Sequence, residues 1–191
     1  MATQLILVDG MPGTGKSSVS QFINLQLRES GVSSDWHHEE TLHPVRQFFD
    51  SNRHRDWSGY IEQVSTAWQH FADELECLNQ TAVLDAALLQ NHVRSMLIFD
   101  ADRNAIVDLA HRIASVIARL NPTLIYLKPN NVEQNFRDVV RSRGDKLLPL
   151  WIEAHDQYPY TKQSGATGYQ AFIDFWREFG DLADTSSRRS A

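Results

Sequence analysis

The sequence predicts an α/β fold, a parallel sheet with helices on both faces, on three observations. Short apolar runs rich in branched residues recur at Gln4 to Val8 (QLILV), Thr81 to Ala86 (TAVLDA) and Thr123 to Lys128 (TLIYLK). Continuous runs of this kind suit strands buried on both faces. Segments with helical spacing lie between them, so strand and helix alternate along the chain. Three glycines and a proline crowd into VDGMPGTGKSS, residues 8–18, between the first strand and the first helix.

The first strand spans 4–8 and the helix after the glycine cluster 16–29, with Val19, Phe22, Ile23 and Leu27 at helical spacing and Gly31 as its C-terminal cap. A second strand over 32–38 runs into His37-His38-Glu39-Glu40. A helical stretch at 44–52 and a longer helix at 57–78 follow; Trp57, Tyr60, Ile61, Val64, Trp68 and Phe71 give the latter an apolar face for the core. Next come a strand at 81–86, helices at 90–97 and 103–120, a strand at 123–128, and helices at 131–142, 146–154 and 168–179. The stretch from Tyr158-Pro159-Tyr160 to Gly165 and Gly168 reads as a loop. Residues 1–184 are expected to form one domain, and 185–191 (TSSRRSA) a flexible tail.

A chain of 191 residues, 42% of them hydrophobic, suffices for one domain with a sizeable core. Its formal net charge is −6 and its Lys and Arg residues form no long stripe, which argues against a nucleic-acid partner and for a small one. With no apolar run of about 18 residues and no charged-then-apolar leader, the expectation is a soluble, cytoplasmic protein with no membrane partner. The single cysteine, Cys77, excludes an internal disulfide and is expected as a small buried hydrophobe. Oligomeric state is left open, a homodimer included.

The pattern Gly10-x-x-x-x-Gly15-Lys16-Ser17 between a strand and a helix is that of a phosphate-binding loop, or P-loop. Gly10, Met11, Pro12, Gly13, Thr14, Gly15, Lys16, Ser17 and Ser18 would together form an anion cradle. Glycine permits the torsions that turn backbone N–H groups inward, and the helix N-terminus adds the positive end of its dipole. Lys16 would reach the β- and γ-phosphates of ATP, and the Ser17 hydroxyl would hold Mg²⁺.

Parallel sheets bind ligands at the carboxyl ends of their strands. Asp85, at the end of its strand, suits a Mg²⁺ ligand or a proton acceptor, and also a helix N-cap. Glu39, ahead of Glu40, is the candidate to orient an acceptor hydroxyl or remove its proton, with Trp36 and the nearby imidazoles, His43 included, lining the acceptor pocket. The His and Glu residues of this strand end lack the i,i+4 histidine pair of a dedicated metal site. Arg137, Arg141 and Arg143, before Gly144, form either a lid near 131–147 that closes over the nucleotide or an exposed helix face paired with Glu133 and Asp138. Gln90, Asn91 and Arg94 suit either acceptor contacts or a polar helix face.

On DGMPGTGKSS, HHEE, Asp85 in VLDA and RDVVRSRGD, the chain resembles the P-loop kinases of small molecules, a group that includes nucleoside, nucleotide and metabolite kinases. That resemblance implies a P-loop NTPase three-layer sandwich with a five-stranded parallel sheet in the order 2-3-1-4-5, ATP on the loop, and a metal served by the carboxylate of the third strand. Ala86 and Ala87 stand where nucleoside and thymidylate kinases usually place an Arg, which leaves the acceptor unassigned. The function implied is ATP- and Mg²⁺-dependent transfer to a small-molecule acceptor, a nucleoside or nucleotide among the options. The alternative is an ATP-binding regulatory or chaperone-like module in which hydrolysis is incidental.

Overall fold

Leu5, Leu7 and Val8 are at most 2% exposed, because β1 (Leu5–Gly10) has a parallel neighbour on each side. β3 (Thr81–Asp85) pairs with it in the register Leu5↔Ala82 to Val8↔Asp85, and β4 (Thr123–Leu127) in the register Ile6↔Thr123 to Gly10↔Leu127. β2 (Ser34–His37) lies outside β3, with Ser34↔Thr81 and His37↔Leu84 in register. The computed structural model describes residues 4–40, 44–45 and 57–188, so His43 and nearly all of the helix expected at 44–52 lie outside the described residues.

The sheet has four parallel strands among the described residues, in the order β2-β3-β1-β4, in place of the five that the family resemblance implies. No fifth strand follows β4 because the chain beyond it is helical: α5 (Val132–Arg143), α6 (Leu147–Asp156), α7 (Pro159–Ser164) and α8 (Gly168–Arg188). Phe172, Phe175, Trp176 and Phe179 follow an i, i+3, i+4, i+7 pattern that buries one face of a helix, not a strand. The same face continues through Leu182, Ala183 and Ser186, so α8 runs to Arg188 where a flexible tail is expected from 185. Pro159 occupies the first turn of α7, where its missing N–H costs nothing, and this places a helix where a loop is expected.

Successive strand residues point to opposite faces. Leu5 and Leu7, with Ala82 and Leu84, join a large core built with α2 (Trp57–Leu78), α4 (Arg103–Ile117) and α8. The opposite face receives α1 (Lys16–Glu29), which packs on β1, β2 and β3. Within the core, buried Trp68 donates from Nε1 to His92 Nε2 at 3.1 Å, and His92 Nδ1 meets the Tyr60 hydroxyl at 3.3 Å. Cys77 is exposed on α2, contrary to the expectation of burial, since the apolar stripe of that helix follows Val64, Trp68, Phe71 and Leu75. Among the described residues, no helix is long and apolar enough to cross a membrane.

Candidate functional site

The register brings Gly10, His37, Asp85 and Leu127 to the carboxyl edge of the sheet. Residues 11–15 leave that edge as a loop, and α1 starts at Lys16. Two of its glycines are required by space as well as by torsion. A β-carbon on Gly10 (φ 151°) would collide with the Leu127 carbonyl oxygen, and one on Gly13 (φ 85°) with Val139 Cγ2 of α5. Asn135 of α5 donates from Nδ2 to the Pro12 carbonyl at 2.9 Å, so α5 is seated directly on the loop. Met11 is buried, and a β-carbon on Gly180 of α8 would lie 3.0 Å from its Cε. Lys16, 4% exposed, donates from Nζ to the Met11 carbonyl at 3.0 Å, and the Thr14 hydroxyl donates to the same oxygen at 2.9 Å.

Asp9, immediately before the loop, escapes sequence reasoning. Its carboxylate is wholly buried; Oδ1 accepts from the backbone N–H of Gly10 and of Gln90, both at 2.9 Å, and Oδ2 from Leu88 (2.9 Å) and Leu89 (2.7 Å). Burial pushes its pKa upward, and the N–H groups of Gln90, Leu89 and Gly10, with Lys16, oppose that. One side chain thus ties the start of the glycine-rich loop to a π-helical turn at Leu89–Val93, a rare geometry that recurs at functional sites. The turn leads into α3 (Arg94–Ile98), and together they replace the single helix expected at 90–97.

Asp85 ends β3 wholly buried, and neither of its oxygens has a well-formed hydrogen bond among the described residues. Burial raises its pKa, against the pull of the Ser17 hydroxyl close by; the Glu39 charge adds to the rise, and Lys16 and His38 oppose it. His38 Nε2 lies 3.7 Å from Asp85 Oδ2. The next residue, Ala86, is buried at φ 58°, a left-handed conformation uncommon for a residue with a β-carbon and a form of strain that clusters at functional sites. A buried carboxylate with no well-formed hydrogen bond among the described residues, beside a hydroxyl in the first turn of α1, fits Mg²⁺, which takes one or two protein ligands and completes its shell with phosphate oxygens and water. Among the described residues, no group of three or more His, Cys, Asp or Glu side chains gathers as a metal cage.

A cleft of about 310 Å³ opens over the loop. Pro12, Gly13 and Gly15 to Ser18 form its floor, Glu39, Glu40, Gln90 and Arg94 one side, and Arg143 part of its rim. Gln90 donates from Nε2 to Glu39 Oε2 at 2.8 Å, which fixes Glu39 within the cleft. The remaining wall is aromatic, with Trp151, His155 and Tyr158 from α6 and the turn after it, and Phe172, Phe175 and Trp176 from α8. Arg94 stacks over the Trp176 ring, 5.6 Å from its centroid. Helical spacing marks these aromatic residues as buried; that their shared face closes a cleft depends on how α6 and α8 dock, which no local pattern encodes.

The structure therefore gathers Pro12, Gly13, Gly15, Lys16, Ser17 and Ser18 with Glu39, Glu40 and Arg143 around one cleft, adds Gln90 and Arg94 to them, and sets Asp85 near Ser17; Gly10, Met11 and Thr14 do not line it, Met11 being buried with its carbonyl taken by Lys16 and Thr14. It does not bring Arg137 or Arg141 there. They are 64% and 78% exposed on α5 and pair with Glu133 (3.7 Å) and Asp138 (3.1 Å), because Phe136 and Val139 take the buried side of that helix. Nor do Trp36 and His37 line the cleft: Trp36 donates from Nε1 to Ser20 Oγ at 2.9 Å, and His37 packs edge-on against Phe71. No protein-family model matches the chain, and no curated protein matches it either.

Proposed function

We propose that this protein is an ATP- and Mg²⁺-dependent phosphotransferase of the P-loop small-molecule kinase type, on a P-loop NTPase sandwich of four strands, and that its acceptor is a small hydroxyl compound. One observation carries the reading: a single cleft joins the phosphate-loop pattern to a carboxylate, Glu39, and to an aromatic wall large enough for an acceptor. Mg-ATP, when bound, supplies the phosphoryl group. The loop N–H groups and Lys16 would hold its phosphates, and Ser17 and Asp85 would hold the metal. Glu39, oriented by Gln90, would accept the proton of the acceptor hydroxyl as that oxygen bonds to the γ-phosphorus and the phosphorus–oxygen bond to ADP breaks, ADP being the leaving group. Arg94 and Arg143 offset charge on the transferred group, while Arg137 and Arg141 stand outside this scheme.

The competing reading, an ATP-binding regulatory or chaperone-like module, draws on Phe22 and Leu25, which are 61% and 51% exposed on α1 and offer a partner an apolar face. A panel of small alcohols and phosphate acceptors, scored for acceptor-dependent ADP release, separates the two. A phosphotransferase turns over ATP faster with one class of acceptor. If no acceptor stimulates turnover while a protein partner binds only the ATP form, the phosphotransferase reading is wrong.

A further inference from the structure

We infer that Asp9 is a positioning residue: through the backbone of Gln90 it fixes Glu39 relative to the glycine-rich loop. The inference rests on the reading of the cleft as a phosphoryl-transfer site, and it assigns the spacing between the held γ-phosphate and the proton acceptor to one buried side chain. Three hydrogen bonds carry it. Asp9 Oδ1 accepts from the backbone N–H of Gly10, where the loop begins, and from that of Gln90, both at 2.9 Å. The same Gln90 donates from Nε2 to Glu39 Oε2 at 2.8 Å. Gly10 and Gln90 thus share one oxygen atom, and Glu39 is a single hydrogen bond further on.

A local cap would satisfy the same N–H groups without this link. The first N–H groups of a helical turn have no partner within it and are ordinarily met by the side chain of the residue before it. Here that residue is Leu88, which offers no such bond, and Asp9 meets them from the end of β1, 79–81 residues away. A carboxylate is required because both of its oxygens face donors; an asparagine would turn its NH₂ group against one pair of N–H groups. The opposite side of the turn is pinned by the core. Trp68 Nε1 only donates, so His92 Nε2 accepts from it at 3.1 Å, and His92 Nδ1 carries the hydrogen that it donates to the Tyr60 hydroxyl oxygen at 3.3 Å. With the turn held on both sides, the place of Gln90 is set from Asp9, and a shift there moves Glu39. A misplacement of about 1 Å at a reacting group costs up to about 10²-fold in rate.

The test follows the side-chain amide of Gln90 in the ¹⁵N-labelled full chain without nucleotide, assigned by its disappearance in Gln90→Leu. Glu39→Ala marks the position of the released amide. Asp9→Asn should move the Gln90 amide pair most of the way to that position, while the indole N–H of Trp36, bonded to Ser20 on the far side of the sheet, stays in place as the sign of an intact fold. In acceptor-stimulated turnover, Asp9→Asn and Gln90→Leu should each lower kcat about tenfold and leave KM for Mg-ATP within about threefold. The double variant should be no slower than the slower single one, since both act through Glu39. A folded Asp9→Asn whose Gln90 amide keeps its wild-type position would overturn the inference, as would a double variant slowed by the product of the two losses. Should Asp9→Asn not fold, amide exchange in the wild type decides. Mg-ADP should then slow exchange at Leu88, Leu89 and Gln90 together with Gly10, by about fivefold or more, and slowing at Gly10 alone would overturn the inference. Because the Gln90 readout needs no catalysis, the expected shift without ADP release for any acceptor would preserve the positioning of Glu39 and refute phosphoryl transfer.

Discussion

Lys16 is the residue on which the proposed phosphate binding depends most. It is buried, and its ammonium is held over the loop by the Met11 carbonyl, so its charge stays beside the place where phosphates would lie. Lys16→Ala should weaken Mg-ATP binding by about 2–3 kcal/mol, the scale of a charge-assisted hydrogen bond, and nearly abolish turnover. Calorimetric titration with Mg-ATP measures the first effect. A second residue-scale prediction concerns His155, which burial lowers from 6.5 to about 4. The unfolded chain takes up this proton near pH 6.5, while the folded chain resists until about pH 4. The stability at stake is therefore fully present above pH 6.5 and lost as pH falls through that window, up to about 3 kcal/mol. Burial lowers the pKa of His37 too, so its contribution has the same sign. Thermal melts should show Tm dropping between pH 7 and pH 4.5, by up to about 10 °C, and His155→Gln should flatten that dependence.

The contact between α5 and the phosphate loop makes the lid hypothesis specific. Gly13 touches Val139, and Asn135 holds the Pro12 carbonyl, so the first two turns of α5 are anchored. A lid closing in the proposed reaction would have to move at the C-terminal end of the helix, at Arg143 and Gly144 (φ 97°). Gly13→Ala should destabilise the fold by about 1–3 kcal/mol through both torsion and collision. Adding Val139→Ala should recover only the collision, a coupling of about 1 kcal/mol in a denaturant double-mutant cycle. Arg143→Ala should lower kcat more than it weakens ATP binding, while Arg141→Ala, with its solvent-exposed Asp138 pair, should leave both within about twofold. Steady-state kinetics with the acceptor that stimulates ADP release would show the contrast.

Legibility at this scale followed the range of the interactions. The loop Gly10 to Ser17 and the helix after it were readable because their pattern lies within eight consecutive residues. Asp9 was not, since three of its four donors stand 79–81 residues away. The helical period of α8 was visible through residue 179, but its extension to Arg188 depends on burial of Leu182 and Ala183 against other elements. The arginine segment was legible as a helix, and the choice between cleft and solvent was made by Phe136 and Val139, the two positions that docking buried.

Across the whole molecule, the parallel register is what turns separate motifs into one site, because it delivers three strand ends to the same edge as the loop. β3 adjoins β1, so Asp85 falls beside Ser17; β2 lies one strand further out, so Glu39 falls beside Gln90. Under the proposed function, this placement gives the metal to Asp85 and the proton to Glu39. The parallel α/β class and the edge at the strand ends followed from local patterns and the strand order as far as β4 from the family resemblance, whereas the missing fifth strand reflects an all-helical end that the resemblance did not foresee.

The most direct measurement is a ³¹P time course of Mg-ATP with the stimulating acceptor, recorded for the wild type, Asp85→Asn and Glu39→Gln. The wild type should convert the γ-phosphate signal into a phosphomonoester of the acceptor, with ADP as the other product. Asp85→Asn should be slow and partly rescued by raised Mg²⁺ or by Mn²⁺. Glu39→Gln should bind Mg-ATP normally, transfer roughly 10²- to 10⁴-fold more slowly, and gain nothing from added metal. Release of free orthophosphate alone, at a rate indifferent to acceptor and to Glu39→Gln, would contradict the assignment of this cleft to phosphoryl transfer.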